Sequence, residues 1–558
     1  MRAPIIALLL AAPALAKPSP FQADGARHAY VLGRLAAAES DLARAVVWLD
    51  AARASDPAQQ SLTRRAFEVA VAAGDQPRSF ALARQLAAQG QADADVQMVR
   101  LAEALQKKDL AGAAAARKAL GQAGYVQLVG PIIDAWLLHA KGDADGALAM
   151  LNPQGYQGFI RSYVAEQRAH MLSASGRWEE AARAWYGVRL GSGAGISFAR
   201  VGEADALAMA GRRQAAEAAL TGDDPASVAA RARLAAGKRI GPLAGDASHA
   251  IAWMCARLAG DLARERPVPL ALLFGRLANY LAPDNMAAWL ISGDVLARAG
   301  QRGAAMAAYA MVPAGDALHG TARARRAEVL DAMGRKAEAA ALLQGAAQAP
   351  GATAGDWLLL GHLHRRNDRF AEAAAAYGEA IKRDPDGSKA AGGEGGWSPW
   401  FLRGSMFERA GRWKEAEADL REAARRAPKE ATILNYLGYS LLDRGESLEE
   451  ATKMIEAAAE MRPGDGGIID SLGWTQYRAG RYADAVLTLE RAATLEPIDP
   501  TVTDHLGDAY WQVGRRIEAR FQWRHALALD PDDRQRARLR AKLDYGLDAA
   551  LAMTEVPH

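Results

Sequence analysis

Asp504 and Asp508 stand one helical turn apart, a spacing at which two carboxylates could act as an acid and a base. Two histidine pairs raise the question of a metal. His362 and His364 are two residues apart, which turns them about 200° from each other around a helix, so they cannot chelate one ion together. His505 and His525 fall in two neighbouring predicted helices and could meet, but two imidazoles without a third to join them make the metal reading poor. Cys255 is the only cysteine, which excludes an internal disulfide, a cysteine-clustered zinc site and an iron–sulfur centre. There is no G-x-x-x-x-G-K-[ST], no H-E-x-x-H, no G-x-S-x-G and no glycine-rich fingerprint after a strand. No catalytic residue, metal or cofactor is therefore expected. Arg534, Arg536, Arg538, Arg540 and Lys542 alternate along the last predicted helix. Alternate positions spread around a helix, so a solvated surface is the favoured reading and docking to an anionic membrane the sharper alternative.

The elements that carry these residues follow from composition. The 558 residues include 68 basic and 65 acidic side chains, a near-balance that calls for no nucleic-acid partner. Half of them are apolar but only 7% aromatic, and the alanine-laden runs point to helices rather than to strands. With 24% charged residues the chain is ordinary folded protein, long enough for several domains or one extended array.

The front of the chain reads as an export signal. Arg2 is followed by the apolar run 5–12, and Pro13-Ala14-Leu15-Ala16 ends in the small-x-small pattern that signal peptidase cuts, so cleavage is expected after Ala16. The apolar run is about half of the ~20 residues that span a bilayer. Lys17 stands where a lipoprotein would have its cysteine. Export to a periplasm is the expectation.

Self-similarity is plain. Gly176-Arg177, Gly211-Arg212, Gly334-Arg335, Gly411-Arg412, Gly480-Arg481 and Gly514-Arg515 mark turns between short helical stretches, the last two 34 residues apart. Stepping by 34 with a few slips gives turns at 40, 74, 108, 142, 176, 211, 266, 300, 334, 368, 411, 445, 480 and 514. Five residues after the turn stands alanine in thirteen of these fourteen copies, allowing one inserted residue before Ala451; only Ser79 departs. Nine after it comes a large apolar residue, as in Trp185, Tyr309, Tyr377, Leu420, Ile455, Leu489 and Trp523, and then a proline such as Pro57, Pro283, Pro385 or Pro428. A small residue lets two helices cross at ~8 Å, the large one fills the next groove, and proline stops the second helix. Seven residues before the turn a glycine recurs (Gly293, Gly361, Gly404, Gly438, Gly473, Gly507), which is read as the first helix's contact with its partner.

Trp400, Gly404, Phe407, Gly411, Ala416 and Pro428 together resemble the tetratricopeptide repeat, strongly from Trp357 to Pro531 and more weakly before residue 250. The resemblance implies an all-α, right-handed superhelical solenoid of about fourteen helix hairpins with a C-terminal capping helix. The expected organisation is a signal peptide at 1–16, divergent repeats at 17–250, central repeats at 251–386, a mobile glycine-rich loop at 387–396, well-matched repeats at 397–533, and a cap and tail at 534–558. The twenty-one extra residues within 221–250 read as an irregular stretch or an extra helix, a candidate hinge. The cap is predicted as one helix over 534–553, with Leu539, Leu543, Leu547 and Leu551 at spacing four. Cys255 falls where the family buries an apolar residue and is read as a packed thiol.

The same resemblance places a groove on the first helices. Its wall would carry Asn435, Tyr439 and Asp443, then Asp470, Trp474, Tyr477 and Arg478, then Asp504, Asp508 and Trp511. Exposed aromatics of this kind dominate docking hot spots; alternatively Trp474, Tyr477 and Trp511 pack between repeats. Where the family's chaperone-tail clamp presents basic residues, this chain has Asn435, Asp470 and Asp504, so an acidic C-terminal tail is not the expected ligand. An open groove also excludes little water, which disfavours catalysis. The segment 435–530 is similar to the C-terminal repeats of envelope adaptors for periplasmic proteases or assembly machines. The reading is a non-enzymatic scaffold that binds a protein or peptide partner, with an accessory subunit of polysaccharide synthesis or export, and thus a glycan ligand, as the rival. No nucleic acid, and no transmembrane segment after signal cleavage, is expected.

Overall fold

The computed structural model describes residues 25–55, 59–122, 124–191, 196–222, 224–241, 244–265, 268–386 and 396–554. The leader with its cut after Ala16, Pro57, the turn at 266 and the glycine-rich loop up to residue 395 lie outside the described residues. Every regular element within them is helical. In order these are α1 (Gly25–Ala38), α2 (Leu42–Ser55), α3 (Gln60–Ala73), α4 (Gln76–Ala88), α5 (Ala94–Gln106), α6 (Leu110–Ala119), α7 (Val126–Ala140), α8 (Ala144–Met150), α9 (Gly158–Ala174), α10 (Trp178–Gly191), α11 (Ile196–Met209), α12 (Arg213–Ala219), α13 (Pro225–Ala235), α14 (Ala247–Glu265), α15 (Val268–Leu281), α16 (Met286–Arg298), α17 (Arg302–Ala310), α18 (His319–Ala332) and α19 (Lys336–Ala347). There follow α20 (Ala354–Arg366), α21 (Phe370–Arg383), α22 (Ser398–Arg409), α23 (Trp413–Arg426), α24 (Ala431–Asp443), α25 (Leu448–Met461), α26 (Gly466–Arg478), α27 (Tyr482–Leu495), α28 (Pro500–Gln512), α29 (Arg516–Ala528), α30 (Asp533–Tyr545) and α31 (Leu547–Thr554). The chain divides into two compact units, one up to Ala339 and one from Ala340.

Each repeat position has a physical cause. Wherever a turn position falls within the described residues it is left-handed, with φ from 56° at Asp368 to 97° at Gly142, and Ser40 and Lys108 adopt the same geometry without being glycine. This conformation closes the first helix by returning backbone N–H groups to its last carbonyls: Gly411 and Arg412 donate to Glu408 and Phe407. The insertion before Ala451 is absorbed by Ser447, which is also left-handed at φ 47°. The thirteen alanines are all fully buried. The upstream glycines sit hard against the large residue of the second helix, so a Cβ at Gly507 would come within 2.5 Å of the Trp523 indole and one at Gly361 within 2.5 Å of Tyr377. The recurring arginine after the turn has its own partner three residues on. Arg177, Arg335, Arg369, Arg412 and Arg515 hydrogen-bond Glu180, Glu338, Glu372, Glu415 and Glu518, holding a carboxylate in the first turn where the helix dipole favours it.

The first unit departs from a simple stack. Within the extra length after residue 221 the described residues form α13 and irregular stretches over 236–241 and 244–246. The chain then returns across its own inner row, with α15 packing on α3 and α5 and α14 on α5, α7 and α9. A helix that touches three successive first helices must lie along the face that those helices present. The contact is polar at its edges and apolar within. Arg276 of α15 donates to the Ala72 carbonyl at 2.9 Å, Gln106 donates to the Tyr280 carbonyl, and Tyr163 donates to Asp261 of α14 at 2.6 Å. Arg257 of α14 bonds the buried Glu166, and the Phe274 ring stands edge-on to Tyr125 at 5.1 Å. Ser79, the one departure from the alanine rule, is fully buried and meets the Tyr280 hydroxyl at 3.2 Å, so the repeat breaks its pattern where the returning hairpin touches it. Cys255 is buried here as a packed thiol, its pKa raised by burial.

At the start of α14, His249 bridges two carboxylates, Asp246 at 2.9 Å and Asp284 at 3.1 Å. The hydrogen bond to Asp246 is the main cause that lifts the imidazole to about 9, against the opposing effect of burial. A raised histidine stabilises the fold fully below the ordinary value of 6.5 and loses that contribution as pH rises through about 9. The His249 ring protons are therefore expected to titrate near 9 by NMR in the complete chain, and to fall back toward 6.5 in Asp246→Asn. A midpoint below 7 in the unmodified protein would remove the bridge from the account.

Candidate partner-binding cleft

In the second unit the first helices α22, α24, α26 and α28 stand side by side, and the last three are each begun by a carboxylate that accepts from open N–H groups. Asp465 accepts from the Ile468 amide and Asp499 from those of Thr501 and Val502. Across these helices runs a cleft of about 490 Å³ whose walls include Glu408, Asn435, Tyr436, Tyr439, Asp443 and Asp470.

Four of the ten residues expected on the groove wall, Asn435, Tyr439, Asp443 and Asp470, line this cleft. Asn435 Oδ1 is buried without a hydrogen-bond partner. Asp443 is exposed at the end of α24 and forms no ion pair among the described residues. Burial, then the nearby Asp470 and Asp443, push the Tyr439 hydroxyl up to about 12, so it stays a donor. Glu408 accepts from Tyr436, whose hydroxyl burial and that bond raise. Asp470 holds His505 Nδ1 at 2.9 Å. Burial opposes protonation of this imidazole, but Asp470, with Asp504 and Asp508 behind it, outweighs burial and raises its pKa.

Trp474 and Tyr477 are half-buried and stack on each other at 4.5 Å with planes 6° apart, and Trp474 stacks as well on the His505 ring at 4.0 Å. They pack within the repeat stack and keep part of their surface. Arg478 is exposed.

Three expected wall residues are covered instead. Lys542 of α30 reaches between Asp504 at 2.6 Å and Asp508 at 2.7 Å, and all three are buried. Burial works against the ammonium, but the two carboxylates outweigh it and raise its pKa, so Lys542 stays charged. Lys542 is thus no part of a solvated surface, and it covers the two aspartates whose spacing suggested acid–base work. Trp511 is buried too, its Nε1 donating to Asp548 of α31 at 3.2 Å. The cap that covers it is not one helix. Gly546 breaks it at φ 84°, where a Cβ would lie within 2.7 Å of the Trp511 ring. His505 pairs with Asp470 while His525 is exposed, and no three His, Cys, Asp or Glu side chains among the described residues are grouped to hold a metal.

Glu408, Tyr436 and Asp499 are cleft residues that the wall positions of the three best repeats leave out. Glu408 would have been found by counting the same positions from Gly404. Tyr436 and Asp499 occupy positions with no groove role in the pattern.

Comparison with known proteins agrees with the helix-pair reading. The tetratricopeptide repeat model matches residues 358–396 and 401–466. A TPR repeat-containing protein of Pseudomonas aeruginosa is 47% identical over 58 residues, 10% of this chain and 10% of that one, so the chain spans about a tenth of the length of this relative. Among solved structures, a TPR protein of Thermus thermophilus is 21% identical, covering 34% of this chain and 99% of its own at a TM-score of 0.29. A tetratricopeptide repeat protein of Parabacteroides merdae is 13% identical over 46% and 96%, with a TM-score of 0.37. Among the described residues no helix is long and apolar enough to cross a membrane. With left-handed turns, buried alanines and close glycine contacts recurring at one period, and with the family model matched within that recurrence, residues 358–396 and 401–466 carry tetratricopeptide repeats, a kind of helical array that in general serves protein–protein contact.

Proposed function

We propose that the chain is a non-enzymatic adaptor of the bacterial envelope that holds an extended segment of a partner protein in the cleft of its second unit. The observation that carries this reading is the contrast between the two inner faces. In the first unit α14 and α15 lie on the first helices, whereas in the second the corresponding face opens as the cleft between α22 and α28. Beside the Tyr439 hydroxyl the cleft offers acceptors: Asn435 Oδ1 without a partner, the Asp443 carboxylate, which forms no ion pair among the described residues, and Glu408. They suit a segment that brings donors, lysine or arginine side chains among them. The envelope assignment rests on the sequence of residues 1–16, and the adaptor role on what such arrays do in general.

Panning a random dodecapeptide library against the complete chain is expected to enrich lysine and arginine. Asp443→Lys should weaken the selected peptides at least about tenfold, as loss and reversal of one interfacial charge does. Selection of acidic peptides, or affinities unmoved by Asp443→Lys and Tyr439→Ala, would argue against the cleft. The envelope half is tested separately by sequencing the N-terminus of the protein from cell fractions, with Lys17 first in a periplasmic fraction as the expected result.

A further inference from the structure

The outward faces of the second helices in the second unit are not equivalent. Three and seven residues after the turn stand Lys414 and Ala418 in α23, and at the matching places of α25 Glu449 and Lys453, which pair with each other. In α29 the same two places hold Ile517 and Phe521, 82% and 61% exposed, and in α27 Leu487 is 70% exposed. The row beside them changes as well. Two, six and ten residues after the turn α27 has Tyr482, Val486 and Glu490, while α29 has Arg516, Arg520 and Arg524. None of these three arginines is ion-paired among the described residues. Arg516 lies over the Trp511 ring at 4.3 Å, Arg520 donates to the Leu543 carbonyl, and Arg516 and Arg524 are exposed. Of the acids nearby, Glu518 and Glu490 of α27 are already paired, with Arg515, at 3.0 Å and 3.1 Å. That second contact also sets the outward faces of α27 and α29 side by side.

An apolar row flanked by a cationic row along one helix fits the boundary between lipid headgroups and acyl chains. Apolar side chains enter the boundary, and arginines bury their stems while their guanidinium groups stay at the phosphates. We propose that the outward face of α29, extended by Leu487 of α27, docks on an anionic phospholipid surface. Ile517 and Phe521 insert, and Arg516 and Arg524 meet the lipid phosphates. The cleft opens on the first helices and this surface on the second helices, so docking leaves Asn435 and Asp443 accessible.

The test is flotation of the complete chain with vesicles of phosphatidylcholine alone or with about 30 mol% phosphatidylglycerol. The protein is expected to float with the anionic vesicles only, and to be released by about 0.5 M salt. Ile517→Ser/Phe521→Ser should lower the bound fraction about tenfold and Arg524→Glu several-fold, with both variants keeping the helical circular dichroism of the parent. All these side chains are exposed, and Arg524→Glu alone keeps the question open to test should the serine pair disturb the fold. Failure of the parent to float with either vesicle overturns the proposal, as does equal flotation of the serine variant. A concentration-dependent dimer in sedimentation that the serine variant lacks, without vesicle binding, would assign the surface to a second copy of the chain instead.

Discussion

Replacing Lys542 by methionine is expected to free α30 and α31 from the end of the second unit at a cost of about 3–5 kcal/mol, the range for breaking a buried ion pair from one side. The ammonium is the shared partner of Asp504 and Asp508, and the Trp523 Nε1 that donates to Asp508 at 2.9 Å cannot neutralise both. Arg538 reaches Asp504 only at 3.8 Å from a half-exposed position, too far to substitute. Without Lys542 two carboxylates would stay buried a helical turn apart, and water would have to enter to solvate them. Because the chain has two units, a single unfolding free energy is not well defined. The informative readout is hydrogen exchange along α28 to α31, where protection should fall about a hundredfold or more. A second variant separates charge from packing. Asp504→Leu/Asp508→Met/Lys542→Met removes the whole cluster and should regain most of the protection, since apolar replacement of a complete buried triad is often neutral or better. If Lys542→Met alone left exchange in α30 unchanged, the apolar contacts of Leu539 and Leu547 would be what holds the cap.

Phe274→Ala is expected to cost a similar amount, about 3–5 kcal/mol, but in the first unit. Its ring is fully buried in α15 and packs edge-on against Tyr125, so truncation leaves a cavity between the returning hairpin and the inner row of first helices. Exchange should quicken in α3, α5, α14 and α15, and a dye that binds apolar surface should brighten, while α22 to α29 keep their protection. Uniform quickening of both units, or none, would contradict the picture of α14 and α15 as the filling of that face.

What the residue pattern reveals and what it hides divide by range. A left-handed turn at Gly411, a small side chain at Ala416 and a large one at Leu420 are all demanded within one hairpin, so the requirement repeats and is visible. Hidden features depend on residues far along the chain. Ser79 reads as an exception until Tyr280, about two hundred residues later, is placed against it. Lys542 reads as one of five alternating charges, because nothing in α30 itself announces the aspartates of α28. Trp511 has the periodicity of a groove residue, and only the break at Gly546 folds α31 over it. The cleft was visible in half measure for the same reason. Asn435, Tyr439, Asp443 and Asp470 lie where repeat counting puts them, whereas Asp504 and Asp508 follow the same count and are claimed by the cap.

The return of α14 and α15 also sets the order in which the first unit can be completed. In an ordinary array each hairpin needs only its neighbour, so structure spreads from any point as the chain emerges. Here the Ala72 carbonyl waits for Arg276 and Ser79 for Tyr280, separations of 204 and 201 residues. Such long-range closure slows folding and ties it to a single late event. At about 5–20 residues per second of synthesis, the inner face at α3 stays uncovered for roughly ten to forty seconds, and that at α9 for about half as long. The second unit has no such interval, because each hairpin from α20 to α29 can close on the one before it. Of the two units, the first is the one whose apolar inner face stays open longer as the chain is made.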